Sequence, residues 1–209
     1  MSADIQVYTG GPCMCNGYLV KCGNSYVAID APLGFADWVA SKLPADAVLT
    51  DLLITHQHFD HVQGAAALTA LTGCKVHACM PYSKELTLED MAARSWGGGL
   101  DVPPFRIDDV FGTGCTTAEW GGSRWNIYHI PGHSPDGVAY ECVDTQNIFC
   151  GDILFEGSVG RTDFPGGSMA TLIRGIREKL LPLPHTTMVN SGHGPTTTIG
   201  EETLNNPYL

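Results

Sequence analysis

The sequence predicts a mixed α/β fold. Three observations carry that prediction. Apolar runs of strand length recur between turn signals, helical stripes interrupt them, and the histidines and aspartates of metal-binding type follow predicted strand ends. With 209 residues, 44% hydrophobic and 16% charged, the chain is expected to form one domain over 1–209, with room for a long insertion and with core enough to exclude disorder.

Ile5 to Tyr8 reads as a short strand. Gly17 to Lys21 and Tyr26 to Ile29 read as a hairpin closed by Cys22-Gly23-Asn24-Ser25. Asp30 ends it, either to orient a metal-binding histidine or to close a turn through its own carboxylate. Phe35, Val39 and Leu43 stand at i, i+4 and i+8, a helix over 35–43. Asp51 to Ile54 is a strand, Val62 to Leu71 a helix stopped by Gly73, and Lys75 to Cys79 a strand. From Met80 to Gly122 the pattern weakens. Trp96-Gly97-Gly98-Gly99 and Pro103-Pro104 break regular elements, and this stretch is either a substrate-selecting lid or a loosely packed loop. Strands resume at Arg124 to Ile130, Val138 to Val143 and Asn147 to Cys150. Ser168 caps a helix to Leu181 with Met169, Leu172, Ile173, Ile176 and Leu180 on one core-facing stripe. Thr187 to Asn190 is the last strand.

The densest chemistry lies in Thr55-His56-Gln57-His58-Phe59-Asp60-His61, on the loop between a strand and a helix. Three imidazoles and a carboxylate within six positions suit zinc, iron or manganese. His133, Asp152 and His193 each follow a strand and a glycine, which lets the backbone turn sharply and the next side chain approach a neighbour. A site converging on one sheet edge follows. His77 and His129 read as strand residues and His185 as a loop residue, without a metal role.

The net charge of −11, with eleven Lys and Arg scattered singly, argues against nucleic acid and anionic membranes as partners. Met1-Ser2-Ala3-Asp4 has no secretory character and no apolar run spans a membrane, so a cytoplasmic location is expected. The eight cysteines are then free thiols. Cys13 and Cys15 flank Met14, and either one is a metal ligand or both simply pack. No C-x-x-C pair marks a structural zinc site.

His56-x-His58-x-Asp60-His61, Gly132-His133, Gly151-Asp152 and Gly192-His193 resemble, in order and spacing, the metallo-β-lactamase superfamily over nearly the whole chain. That resemblance implies an αββα sandwich, two mixed β-sheets face to face with helices on the outer faces. Ser158-Val159-Gly160-Arg161-Thr162-Asp163-Phe164, Gly192-His193-Gly194-Pro195 and the Asn206-Pro207-Tyr208-Leu209 tail look like the small type II glyoxalase-like hydrolases. By that resemblance His56, His58 and His133 hold a first divalent ion and Asp60, His61 and His193 a second. Asp152 bridges them, zinc is favoured, and iron or manganese is possible. Gln57 and Asp136 depart from the family pattern at positions that are not ligands. Full-length type II glyoxalases carry a further C-terminal helical domain that helps hold glutathione. Only a short segment follows His193 here, so weak glutathione recognition is expected.

The chemistry implied is hydrolysis of thioesters such as hydroxyacylglutathione by a hydroxide bridging two ions about 3.5–4 Å apart. A thiol with a pKa near 8.5 leaves with little help from an acid, whereas a β-lactam nitrogen needs protonation. Asp60 and Asp152 are the catalytic carboxylates. Arg161 either faces an anionic substrate or pins its own loop. Two other classes stand beside this one. One is a mononuclear iron persulfide dioxygenase using His56, His133 and Asp152, and the other is a non-catalytic metal-binding module.

Overall fold

A computed structural model describes residues 4–96 and 100–209; part of the predicted Trp96–Gly99 breaker and Met1 to Ala3 lie outside the described residues. The chain opens with β1 (Ile5–Gly10), β2 (Cys15–Cys22) and β3 (Ser25–Ile29). Cys22 pairs with Ser25, so the hairpin closes as predicted. Then come α1 (Phe35–Lys42), β4 (Val48–Leu53), α2 (Phe59–Val62), α3 (Ala65–Thr72) and β5 (Lys75–Ala78).

Here the predicted Val62–Leu71 helix is corrected. The helical turn begins at Phe59, stops after Val62, and resumes at Ala65. Asp60 and His61 therefore sit on a helical turn instead of a loop. The break is at Gly64, whose amide donates to the Ala31 carbonyl at 2.7 Å. A Cβ there would lie 2.5 Å from the Pro32 carbonyl oxygen, so the backbone approach admits only glycine.

The Met80–Gly122 stretch is also more regular than predicted. It holds α4 (Lys84–Thr87), α5 (Glu89–Trp96), β6 (Asp109–Val110) and β7 (Thr117–Trp120). Three of these are four residues or fewer, too short to show a period in the sequence. Next come β8 (Ser123–His129), β9 (Val138–Cys142), β10 (Asn147–Gly151) and the small pair β11 (Leu154–Phe155) and β12 (Ser158–Val159). α6 (Met169–Gly175) is capped by the Ser168 hydroxyl as expected, but passes into a π-helical turn over Ile176–Leu180. Met169 is exposed, so it leaves the predicted apolar stripe. The chain ends with β13 (Met188–Ser191), β14 (Thr197–Thr198) and α7 (Ile199–Asn205), the last two unforeseen.

Two six-stranded mixed sheets result, in the orders β1-β2-β3-β4-β5-β6 and β14-β13-β10-β9-β8-β7. Three buried clusters show the layers. Leu19, Ala28, Leu52 and Val76 pack outward against Phe35, Val39 and Leu68 of α1 and α3. Tyr18, Val20, Val27 and Leu53 meet Trp125, Ile127, Tyr140 and Phe149 between the sheets. Ile148, Cys150 and Val189 pack outward against Leu172, Ile176, Leu180 and Ile199. Alternate side chains of β2 and β3 enter different clusters, the period-two signature of a sheet buried on both faces. The arrangement is an αββα sandwich.

In the second sheet β10 runs parallel to β13 and antiparallel to β9, which runs antiparallel to β8. The chain therefore leaves β8, β10 and β13 at the same edge. The two sheets are stitched there by Val138 N–H to the Thr55 carbonyl (2.9 Å), Asn16 N–H to the Gly192 carbonyl (2.8 Å) and Tyr18 hydroxyl to the Ser191 carbonyl (2.7 Å).

Candidate metal centre

All seven sequence-predicted residues meet at that edge. His56 and His58 leave β4, Asp60 and His61 lie on α2, His133 follows β8, Asp152 follows β10 and His193 follows β13. His56, His58, Asp60, His61 and His133 are buried, and Asp152 and His193 are partly exposed. The glycine before Asp152 has φ +50°, as expected for a sharp turn, whereas Gly192 has no such backbone. At Gly192 the need is room: a Cβ would clash with the Asp152 carboxylate and come 2.6 Å from His61 Cε1.

His56, His58 and His133 form one group. His58 Nδ1 lies 3.0 Å from His56 Nε2 and 2.9 Å from His133 Nε2. Their other ring nitrogens fix the tautomers. His133 Nδ1 lies 2.7 Å from the Arg161 carbonyl, which only accepts, so this nitrogen donates and Nε2 carries the lone pair. The Thr55 hydroxyl donates to Asp30 Oδ2 at 2.7 Å, which leaves its oxygen to accept from His56 Nδ1 at 3.2 Å. Lone pairs of His56 and His133 therefore converge on His58 Nδ1, which as a donor could answer only one of them. A cation would answer all three.

Asp60, His61 and His193 form the second group. His193 Nε2 lies 3.3 Å from Asp60 Oδ2, and its Nδ1 faces the Met14 carbonyl at 3.4 Å. His61 Nδ1 meets Asp30 Oδ2 at 2.7 Å. Its Nε2 faces Asp152 Oδ1 at 3.3 Å, yet both atoms are buried without a hydrogen-bond partner among the described residues. An imidazole lone pair and a carboxylate oxygen so opposed are what a shared cation would satisfy. Asp152 Oδ2 also lies 3.5 Å from both His133 Nε2 and His193 Nε2, so this carboxylate stands between the two groups.

Burial first, then neighbouring imidazoles, holds His56 well below the ordinary histidine value and His58 at about 3. Both imidazoles are neutral at pH 7. Burial would raise Asp152 and Asp60. His61 and His193 outweigh it, so both carboxyls stay below the ordinary range and ionised. For His61 the depression by burial is outweighed by Cys15, Asp30, Asp152 and Asp60, which raise it. Acidic neighbours thus attract positive charge to that position, which a divalent ion could supply in place of a proton.

Asp30, left open between two roles by the sequence, serves the histidines. It accepts from Thr55 N–H (2.8 Å), the Thr55 hydroxyl and His61. Sequence reasoning missed Thr55 as a positioning residue and gave Gln57 no part. Gln57 donates to the Met80 and Pro81 carbonyls, accepts from Ser83 N–H, and is held through its own amide by Asp136 Oδ2. Its departure from the family pattern was the available signal. His77 is structural as predicted. Trp120 Nε1 donates to its Nδ1 at 3.1 Å, so Nε2 donates to Asp51 at 2.8 Å. His129 meets the Pro135 carbonyl, and His185 is an exposed loop residue.

A cavity of about 670 Å³ opens beside the two groups, walled by Cys13, Leu88, Met91, Phe155, Val159 and Phe164. Arg161 also lines it, but its guanidinium is engaged by Asp163 through bonds of 2.7 and 2.6 Å and lies 4.4 Å from the Phe164 ring centre. Phe164 in turn packs edge-on against His58 and His133. All eight cysteines are free thiols. Among the described residues no helix is long and apolar enough to cross a membrane.

A mixed-sheet αββα sandwich with paired histidine and carboxylate groups at one edge defines a class of metal-dependent hydrolases. The chain belongs to the metallo-β-lactamase superfamily, whose family model matches residues 10–193. It is 36% identical to the hydroxyacylglutathione hydrolase GloC of Haemophilus influenzae over 184 residues, 87% of this chain and 86% of that one. The crystal structure of the BLEG-1 B3 metallo-β-lactamase matches with a TM-score of 0.86 at 32% identity, covering 98% of this chain and 99% of that one. The structure of TTHA1623 in a di-iron-bound form matches with a TM-score of 0.82 at 35% identity, covering 98% and 100%.

Proposed function

We propose that the protein is a dinuclear thioester hydrolase that accepts hydroxyacylglutathione-type substrates. The observation that carries this reading is Asp152, whose two oxygens face His61 on one side and His133 and His193 on the other. His56, His58 and His133 would hold the first divalent ion and Asp60, His61 and His193 the second, with Asp152 shared. Ions held there supply a water acidified toward neutral pH and a Lewis acid for a carbonyl oxygen. Zinc suits the donor set, and iron or manganese is compatible with it.

The chain's own residues do the rest. Thr55, Asp30 and the Arg161 carbonyl fix the imidazole tautomers. The apolar wall of Leu88, Met91, Phe155 and Phe164 receives the acyl group and excludes water. The remaining polar side chains lining the cavity are Cys13, Ser95, Ser158, Arg161 and Asp163, a set without a histidine to serve as general acid. A thiolate leaving group fits that lining, because its conjugate acid has a pKa of about 8.5. GloC, named for hydroxyacylglutathione hydrolysis, supports the same substrate class. Arg161 is the single cationic residue among the described residues lining the cavity and is already paired with Asp163. Recognition of glutathione carboxylates is therefore weak and appears as a high KM with a sound kcat.

The test is metal analysis of protein purified without added metal, with thioester, β-lactam and persulfide substrates compared. Two ions per chain and preferred thioester turnover are expected. One iron per chain with oxygen consumed on a persulfide would replace this reading by the dioxygenase, and metal binding without turnover of any of the three would leave a binding module.

A further inference from the structure

We propose that Cys15 is a protein ligand of the second ion, a thiolate added to the Asp60, His61 and His193 set. The inference rests on the two-ion reading above and concerns a residue which that reading leaves unused. Cys15 opens β2 and is wholly buried. Its neighbour Asn16 is tied to the loop carrying His193 by the Asn16 N–H bond to the Gly192 carbonyl and by its side-chain amide to the Ser191 and Gly194 carbonyls. That tie delivers Sγ to the centre. The Cys15 sulfur, an Asp60 oxygen and one ring nitrogen each of His61 and His193 all lie within 4.8 Å of one another. Donors at zinc distances of about 2.0–2.3 Å stand roughly 3–4 Å apart, so a small closure joins them on one ion.

The other buried cysteines have different surroundings. Cys150 Sγ donates to the Leu154 carbonyl at 3.2 Å, and Cys142 packs in the apolar layer between the sheets. Apart from its interaction with His61, the Cys15 thiol makes a long contact, 3.7 Å, to its neighbour's carbonyl. The second thiol nearby, Cys13, lines the cavity and bonds to Asp60, but lies outside the four-donor cluster.

Coordination replaces the S–H bond by a sulfur–metal bond and releases one proton to solvent. A soft thiolate makes the two positions unequal. The first, with three imidazoles, takes any of several divalent ions. The second favours zinc or cobalt over manganese or magnesium.

The test uses metal-exchanged protein and does not depend on turnover. Wild type loaded with cobalt(II) should hold two ions per chain and show a near-ultraviolet sulfur-to-cobalt charge-transfer band. Cys15→Ser should lose the band and weaken the second ion by at least the roughly 10–100-fold that loss of an outer-sphere partner costs, while Cys13→Ser keeps both. X-ray absorption of the zinc form should show a sulfur neighbour at about 2.3 Å in wild type and in Cys13→Ser, which keeps the proposal testable if Cys15→Ser does not fold. Two cobalt ions without a band, or a band that persists in Cys15→Ser, would overturn the thiolate ligand and leave the two-ion site standing. A single cobalt ion with a Cys15-dependent band would keep the ligand and overturn the two-ion reading.

Discussion

Asp30 has φ +55° and a carboxylate that accepts three hydrogen bonds, two from Thr55 and one from His61. Asparagine tolerates that backbone but presents an amide donor to hydroxyl and ring N–H donors. Asp30→Asn should therefore stay folded while metal affinity falls about 10–100-fold, measured by chelator competition. Unchanged affinity would show that His61 is oriented by something else. Away from the centre, Asp51 accepts from His77 and from Gly121 N–H at 2.9 Å. Burial would raise its carboxyl, and the bonds from His77, Thr50 and Gly121 lower it instead. A depressed folded value contributes stability above the unfolded pKa of about 3.9 and loses it as pH falls through the folded value. Asp51→Asn should cost about 1.5–3 kcal/mol at pH 7, and the gap to wild type should narrow below pH ~4. Urea titrations at neutral and acid pH decide it, and a gap independent of pH would point to packing instead of charge.

Between elements, Gln57 is a tie that reaches a wall of the cavity. It joins the histidine loop to the segment leading into α4 through bonds to Met80, Pro81 and Ser83. Met91 and Leu88, which wall the cavity, belong to that segment. Gln57→Ala removes the tie without touching any of the seven converging side chains. KM should rise about tenfold, equivalent to roughly 1.4 kcal/mol, with kcat near wild type. A fall in kcat at constant KM would place Gln57 in the service of the reacting groups. The same segment is otherwise held by Glu89, which accepts from Val102 N–H at 2.6 Å and pairs with Lys84 at 3.2 Å.

At the scale of the molecule, the three apolar clusters hold the sandwich together and contain none of the seven histidine and aspartate side chains of the centre. Hydrophobic burial supplies most of the driving force for folding, so chelation should leave the chain folded. Binding to the native state alone adds about 2.7 kcal/mol when an ion is at a hundred times its Kd. The chelated protein should therefore melt cooperatively at a lower temperature, with unchanged far-ultraviolet dichroism at 25 °C. Loss of secondary structure on chelation alone would mean that the metals build the fold.

The sequence by itself carried the seven candidate ligands and, through their resemblance to the metallo-β-lactamase superfamily, implied the αββα architecture. The ligand motifs are written locally, as a strand, a glycine and a ligand-type side chain, and as four such residues between His56 and His61. Short elements were beyond it. α4, β6 and β14 have too few residues for a period to appear, and the break before α3 depends on the approach of Pro32 to Gly64. Only the tertiary structure showed what Asp30, Thr55 and Gln57 bond to and where Cys15 lies. Cys13 and Cys15 look alike in sequence, yet one lines the cavity and the other points among Asp60, His61 and His193. The physical reason is that a side chain's partners are set by the register of β2 against β1 and by its tie to the loop after β13, more than 170 residues away. Contacts across that separation leave no pattern in the residues on either side.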